Sequence, residues 1–157
     1  MLILASLLTV QLASAFTPHV GDEASYEVTT PIGSTLHRRV IENFDETKDK
    51  YEVAIYQEAN GQEKKQVEWI DAAKVKAVYV GDLGAFCAER GGQLTQVEFE
   101  RRQQPACYTL KDNGVLKQED FWMAGVPFAT YFSEKKSPLH PKAGTTTRLL
   151  SFQLAPR

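Results

Sequence analysis

Apolar and polar residues alternate one for one where Ala24, Tyr26 and Val28 interleave with Glu23, Ser25 and Glu27, and again along residues 51–56. A period of two is the mark of a β-strand with one buried face, and short turn signals follow each such run. Pro31-Ile32-Gly33 ends the first strand; residues 36–44 read as a second, with both faces partly apolar; the charged run 45–50 turns the chain into the third. Asn60-Gly61 is a strong hairpin signal, because both residues tolerate positive φ in a type I′ turn. It leads to a fourth strand at about residues 64–70, which carries Trp69. Four consecutive strands joined by short turns predict an antiparallel meander.

Residues 71–80 are ambiguous: the alanines and lysines favour helix, whereas Val75, Val78 and Val80 suit a strand. Asp82 is placed to cap a short helix reaching Arg90, with Gly91 ending it, which puts Cys87 on that helix. Strands return at residues 94–100 and 105–110. A turn over residues 101–104, with Glu100 opposite Pro105, would set Val97 opposite Tyr108, Phe99 opposite Ala106, and Cys107 on the other face beside Glu98. A one-residue change in that turn would move Cys107 beside Val97 instead. Asp112-Asn113-Gly114 is another tight turn, residues 121–132 hold the densest aromatic cluster, residues 137–141 form a loop, and residues 145–154 close the fold as a last strand.

The first fifteen residues differ in kind. Residues 2–12 are almost wholly apolar, and Ala13-Ser14-Ala15 follows as a small-x-small cleavage site. That is the layout of a secretory leader whose apolar run is too short to span a bilayer, although no Lys or Arg precedes it. The other reading of this run is a buried first strand or helix of the domain. The expected organisation is therefore a leader at 1–15 and a single β-rich domain at 16–157, soluble and periplasmic or secreted. No cysteine follows the cleavage site to take a lipid anchor, and no later apolar run is long enough for a transmembrane helix. In an oxidising compartment the two cysteines, Cys87 and Cys107, are expected to pair. The net charge of −2, with no basic stripe, argues against a nucleic-acid partner.

Cys87, Gly91-Gly92, an alternating strand, Pro105-Ala106-Cys107, Trp122 and Val126-Pro127-Phe128 together resemble a group of largely uncharacterised exported bacterial proteins. The likeness spans residues 82–132, and the meander of residues 21–69 is consistent with it. It departs in two places: no glycine separates Ala106 from Cys107, and Ala129 stands where the group has a glycine. The resemblance implies a mainly β fold, a curved antiparallel sheet similar to the half-barrels of periplasmic lipoprotein carriers, with one or two short helices. Its motifs are turns and a staple, so it implies fold and compartment rather than activity.

The sequence presents no catalytic constellation. His19, His37 and His140 lie in no metal-ligand spacing, no serine sits in a Gly-x-Ser-x-Gly turn, and paired cysteines leave no thiol nucleophile. Asp45, Glu46 and Asp49 are interleaved with Lys48 and Lys50, which suits a charged hairpin tip rather than calcium. The expectation is a non-catalytic protein with no cofactor and no metal. Trp69, Trp122, Phe128, Tyr131 and Phe132 either line the hollow of the curved sheet and hold an apolar or acyl ligand, or fill the core under the helix. The alternative function is that of a periplasmic interaction or inhibitor protein, binding another protein through loops or a sheet edge; a hydrolase is the least supported. Amino-terminal sequencing of the exported protein is expected to begin at Phe16, and a chain retaining Met1 would remove the basis for the leader.

Overall fold

The computed structural model describes residues 16–157, apart from the side chain of Pro141; the leader expected at 1–15 lies outside the described residues. The predicted meander forms β1 (Glu23–Thr30), β2 (Gly33–Asp45), β3 (Lys50–Ala59) and β4 (Gln62–Asp71). After two short helices, α1 (Ala72–Lys76) and α2 (Leu83–Glu89), come β5 (Gln93–Phe99), β6 (Arg102–Asp112), β7 (Lys117–Trp122), β8 (Thr130–Ser137) and β9 (His140–Gln153). All nine strands join one open antiparallel sheet in the order β4-β3-β2-β1-β9-β8-β7-β6-β5, so the last strand pairs with the first and the free edges are β4 and β5. The fold is mainly β, as the alternation predicts. Register shifts at Ser25/Tyr26, Ile41/Asn43 and Phe121/Trp122 add local bends to a curved sheet.

Ala24, Tyr26, Ile41 and Val53 lie on the inner face of this curve and begin the main core, all of them nearly without solvent contact. What covers them comes from between the strands. Ala72 and Val75 of α1, Tyr79, and the loop carrying Met123, Val126 and Phe128 pack onto that face, and the Gly125 amide donates to the Val80 carbonyl at 3.0 Å. The ambiguous segment 71–80 is thus one helical turn and a turn, shaped by what it covers. The chain ends are tied in by Asp22, fully buried, which accepts from the amides of His19 and Ala155 and pairs with Arg157 at 3.2 Å. The Tyr79 hydroxyl is buried beside it without a formed hydrogen bond among the described residues. Burial, and after it the Asp22 charge, raises the Tyr79 pKa.

Helix α2 forms as expected: Asp82 accepts from the Ala85 amide at 3.0 Å, and Gly91 follows the helix at φ +61. The Cys87–Cys107 disulfide is present, with Cα atoms 5.5 Å apart, and fastens α2 to β6. Around it Val80, Phe86 and Ala129 make a second, smaller core. Ala129 holds φ +52, a left-handed backbone that glycine adopts freely and other residues seldom do.

The β5–β6 hairpin corrects the sequence reading. Phe99 pairs with Arg102 across a two-residue turn, Glu100-Arg101, with φ of 51° and 62°. Val97 therefore faces Gln104 rather than Tyr108, four positions away along β6. The shift is even, so every residue keeps its face: Val97, Phe99 and Ala106 join the main core from one face of the hairpin, while Cys107 shares the other face with Thr109 and, across β7, with Trp122 and Asp120. Pro105 sits within β6, where that strand has a partner on one side only, the setting in which strand prolines occur. At the other end of the chain, β9 begins at His140 inside the expected loop, which shrinks to a turn at Pro138-Leu139.

Gly92 is what gives the bridge room. A Cβ there would lie 2.6 Å from Cys107 Sγ, 2.8 Å from the Tyr108 carbonyl oxygen and 2.9 Å from Cys87 Sγ. Gly92→Ala is expected to lower stability by about 1–3 kcal/mol through overpacking, read from the urea midpoint of the oxidised protein. An unchanged midpoint would show that the bridge tolerates a neighbour.

Candidate ligand-binding site

Above the filled part of the inner face, the same alternation places polar side chains where a core would have apolar ones. One register row runs Thr109, Asp120, Ser133, Thr147, Val28 and Thr35 across six strands, and the next includes Lys111, Gln118, Lys135 and Thr145. Only Val28 interrupts this polar surface. Residues of β2, β7, β8 and β9, namely Arg39, Gln118, Asp120, Trp122, Lys135 and Thr147 among them, line one hollow of about 200 Å³. That is below the range of about 300–1,000 Å³ usual for drug-sized ligands, so the occupant it suits is small.

Asp120 is almost wholly buried, and Gln118 Nε2, at 2.8 Å, is its one hydrogen-bond donor among the described residues. Arg39 has no carboxylate within ion-pair distance among the described residues; its guanidinium stands 5.1 Å from the centroid of the Tyr26 ring. Burial pushes the Tyr26 hydroxyl up to about 12 in spite of the cation beside it. His37, two residues from Arg39 on the same face, hydrogen-bonds Thr35 Oγ1 through Nε2 at 3.0 Å. Burial first, and then the Arg39 charge, hold its pKa below the ordinary histidine value. The hollow therefore offers a guanidinium and a lysine on one hand, a carboxylate on the other, and threonine and serine hydroxyls between.

The five aromatics expected either to line the hollow or to fill the core are dispersed. Trp122 lines it; its indole N–H donates to Thr109 Oγ1 at 3.1 Å, and its ring meets Phe86 of α2 edge-on at 5.6 Å. Phe128 is in the main core against Tyr79, at 5.9 Å. Tyr131 packs on Phe99 and donates its O–H to the Glu98 carbonyl at 2.7 Å. Phe132 pairs with Phe121 on the face opposite Asp120 and Ser133. Trp69 is 44% exposed on edge strand β4, with Val67 beside it on the outer face. The residues that sequence reasoning did not single out are Arg39, Gln118, Asp120 and the hydroxyls of β8 and β9. Their polar character reads as a solvated face until the curvature is known.

The charged tip at 45–50 is bonded within itself. Asp45 Oδ1 accepts from the Thr47 amide and hydroxyl and from the Lys48 amide, and these contacts, Thr47 foremost, hold its pKa at about 2. No protein-family model matches this chain, and no curated protein matches it in sequence.

In an NMR titration, His37 is expected to titrate below the usual value of about 6.5 and to move upward in Arg39→Gln, which removes one of the two causes. Because the folded pKa is the depressed one, the neutral imidazole's contribution to stability is complete above the unfolded pKa and is lost as pH falls. A His37 pKa unchanged by Arg39→Gln would separate the two side chains electrostatically.

Proposed function

We propose that this is an exported, non-catalytic binding protein whose inner face takes a small polar ligand carrying an anionic group. The observation that carries this reading is the Arg39 guanidinium, without an ion-pair partner among the described residues, lining the same hollow as the buried carboxylate of Asp120. An anionic group on Arg39 and Lys135, with a donor on the ligand reaching Asp120, would satisfy both ends, and the hydroxyls supply orientation. A periplasmic or secreted location is supported by the disulfide, since such bridges persist in oxidising compartments, together with the leader expected at 1–15. An acyl ligand has less support, because one of the five aromatics reaches the hollow and the lining is hydroxylic and charged.

A second reading has an observation of its own. Edge strand β4 is exposed along nearly all its length, and Val67 and Trp69 stand side by side on its outer face. An extended segment of a partner protein adding to that edge would pair the free backbone groups and cover both side chains.

Native mass spectrometry of protein exported into an oxidising compartment, without refolding, distinguishes the two. A small-molecule adduct that persists in Trp69→Ala and weakens by about tenfold or more in Arg39→Gln, as loss of a charged hydrogen bond predicts, is the expected result. A co-purified protein lost in Trp69→Ala would move the function to the β4 edge. A bare mass in the wild type, with no adduct regained from small carboxylates or phosphates, would overturn the inner-face reading.

A further inference from the structure

Three neighbouring turns at one end of the sheet carry apolar side chains where turn chemistry favours glycine, asparagine, aspartate or serine. The β1–β2 turn presents Ile32, 99% exposed; the β8–β9 turn presents Leu139, 72% exposed; the β6–β7 turn presents Val115, 64% exposed, beside Leu116. They are consecutive in space, since β1 pairs with β9, β9 with β8 and β8 with β7. Pro31 and Leu139 lie close enough to line one surface depression with His140, Lys142 and Ala143. A β-branched residue at a turn tip adds nothing to the turn, and at its exposure Ile32 is all but bare of protein contact. The fold gives no reason for it.

The charge on these turns is mostly positive. Residues 30–33 carry none, and residues 111–117 and 135–142 carry Lys111, Lys117, Lys135, Lys136 and Lys142 against Asp112 alone. Asp112 is occupied by the Gly114 amide, while Lys117 and Lys136 pair with Glu119 and Glu134. Lys111, Lys135 and Lys142 have no ion-pair partner among the described residues. At the opposite end the β2–β3 turn carries Asp45, Glu46 and Asp49 interleaved with Lys48 and Lys50.

We propose that the lysine-ringed end docks on an anionic lipid bilayer, with Ile32, Leu139 and Val115 entering the interfacial layer and the lysines meeting lipid phosphates. The charge is complementary to such a surface, and the apolar groups are separate projecting tips rather than a groove or a flat patch. A fluid interface accepts separate tips, whereas a protein partner needs a contiguous area of about 800 Å² a side. Lys135 lines the hollow, so the inference rests on Lys111 and Lys142 and does not depend on what the inner face binds.

The test is co-sedimentation of the disulfide-intact protein with phosphatidylglycerol-containing vesicles and with pure phosphatidylcholine vesicles. Binding is expected to the first, and neutralising a free lysine (Lys142→Gln) should weaken it about fivefold. Ile32→Ser combined with Leu139→Ser should weaken it by about tenfold or more, with circular dichroism and the intact disulfide mass unchanged. Val67→Ser, on the outer face of β4, should leave it unaltered. Absence of sedimentation with anionic vesicles would overturn the proposal, as would an equal loss with Val67→Ser. So would light scattering that shows a dimer dissolved by the Ile32/Leu139 variant, which would assign the tips to a second copy of the chain.

Discussion

A single open sheet has two faces and no second layer, and everything else in this protein follows from how the inner face is covered. A sheet buries its apolar face against another element, and here no second sheet or long helix is present among the described residues to supply one. The cover is made from connections instead: α1 and Tyr79 between β4 and α2, and residues 123–129 between β7 and β8. These pieces are held by few but buried contacts, among them the Tyr26 hydroxyl donating to the Pro127 carbonyl at 3.4 Å and the Asp22 cluster that gathers both ends of the domain. Cover of this kind is limited by connection length. It fills the half of the inner face near Tyr26 and Ile41 and stops, and the uncovered half is where the polar rows lie.

The disulfide decides where the hollow ends. Helix α2, at seven residues, is too short to persist by its own hydrogen bonds. Its capping by Asp82 helps, but closing a loop of 20 residues contributes roughly 3 kcal/mol in the chain-entropy model. The bridge places Phe86 against Trp122, and Trp122 in turn gives its indole proton to Thr109 beside Asp120. A chain of direct contacts therefore runs from the bridge through the helix and the aromatic pair to the wall of the hollow. Gly92, with no side chain of its own, is the neighbour that permits this closeness.

Much of the fold was legible because period-two alternation and turn chemistry are local signals. Asn60-Gly61, Asp82 with Gly91, and the alternation at Tyr26 each report their surroundings within a few residues. The pairing of Cys87 with Cys107 followed from compartment and count. The β5–β6 turn differs from the sequence reading because Arg101 to Gln104 look like solvent-facing turn residues, while the ladder that draws Arg102 to Gln104 into β6, seven pairs from Phe99–Arg102 to Gln93–Tyr108, rests on contacts between strands. The site was largely illegible for a related reason. Asp120, Ser133 and Thr147 come from three strands, and nothing in any one of them distinguishes an inner polar position from an outer one. The aromatics drew notice for size, yet a large side chain reports only that it is buried somewhere, and Phe128, Tyr131 and Phe132 are packed away from the hollow.

The polar rows and the apolar tips occupy the same half of the molecule. Lys135 lines the hollow and lies two residues from Ser137, where β8 ends; Lys111 lies one residue before the β6–β7 turn. The filled core, the Asp22 cluster and the charged β2–β3 turn lie toward the other end. The polarity comes from the chain path rather than from any one residue. Both long covering connections leave from the strand ends near Asp71 and Trp122, whereas hairpins at the far end turn within a few residues and have nothing to spare for cover. An antiparallel sheet whose long connections all sit at one end is left with one closed end and one open end. The same short turns that leave the hollow uncovered are those that project Ile32, Val115 and Leu139 into solvent.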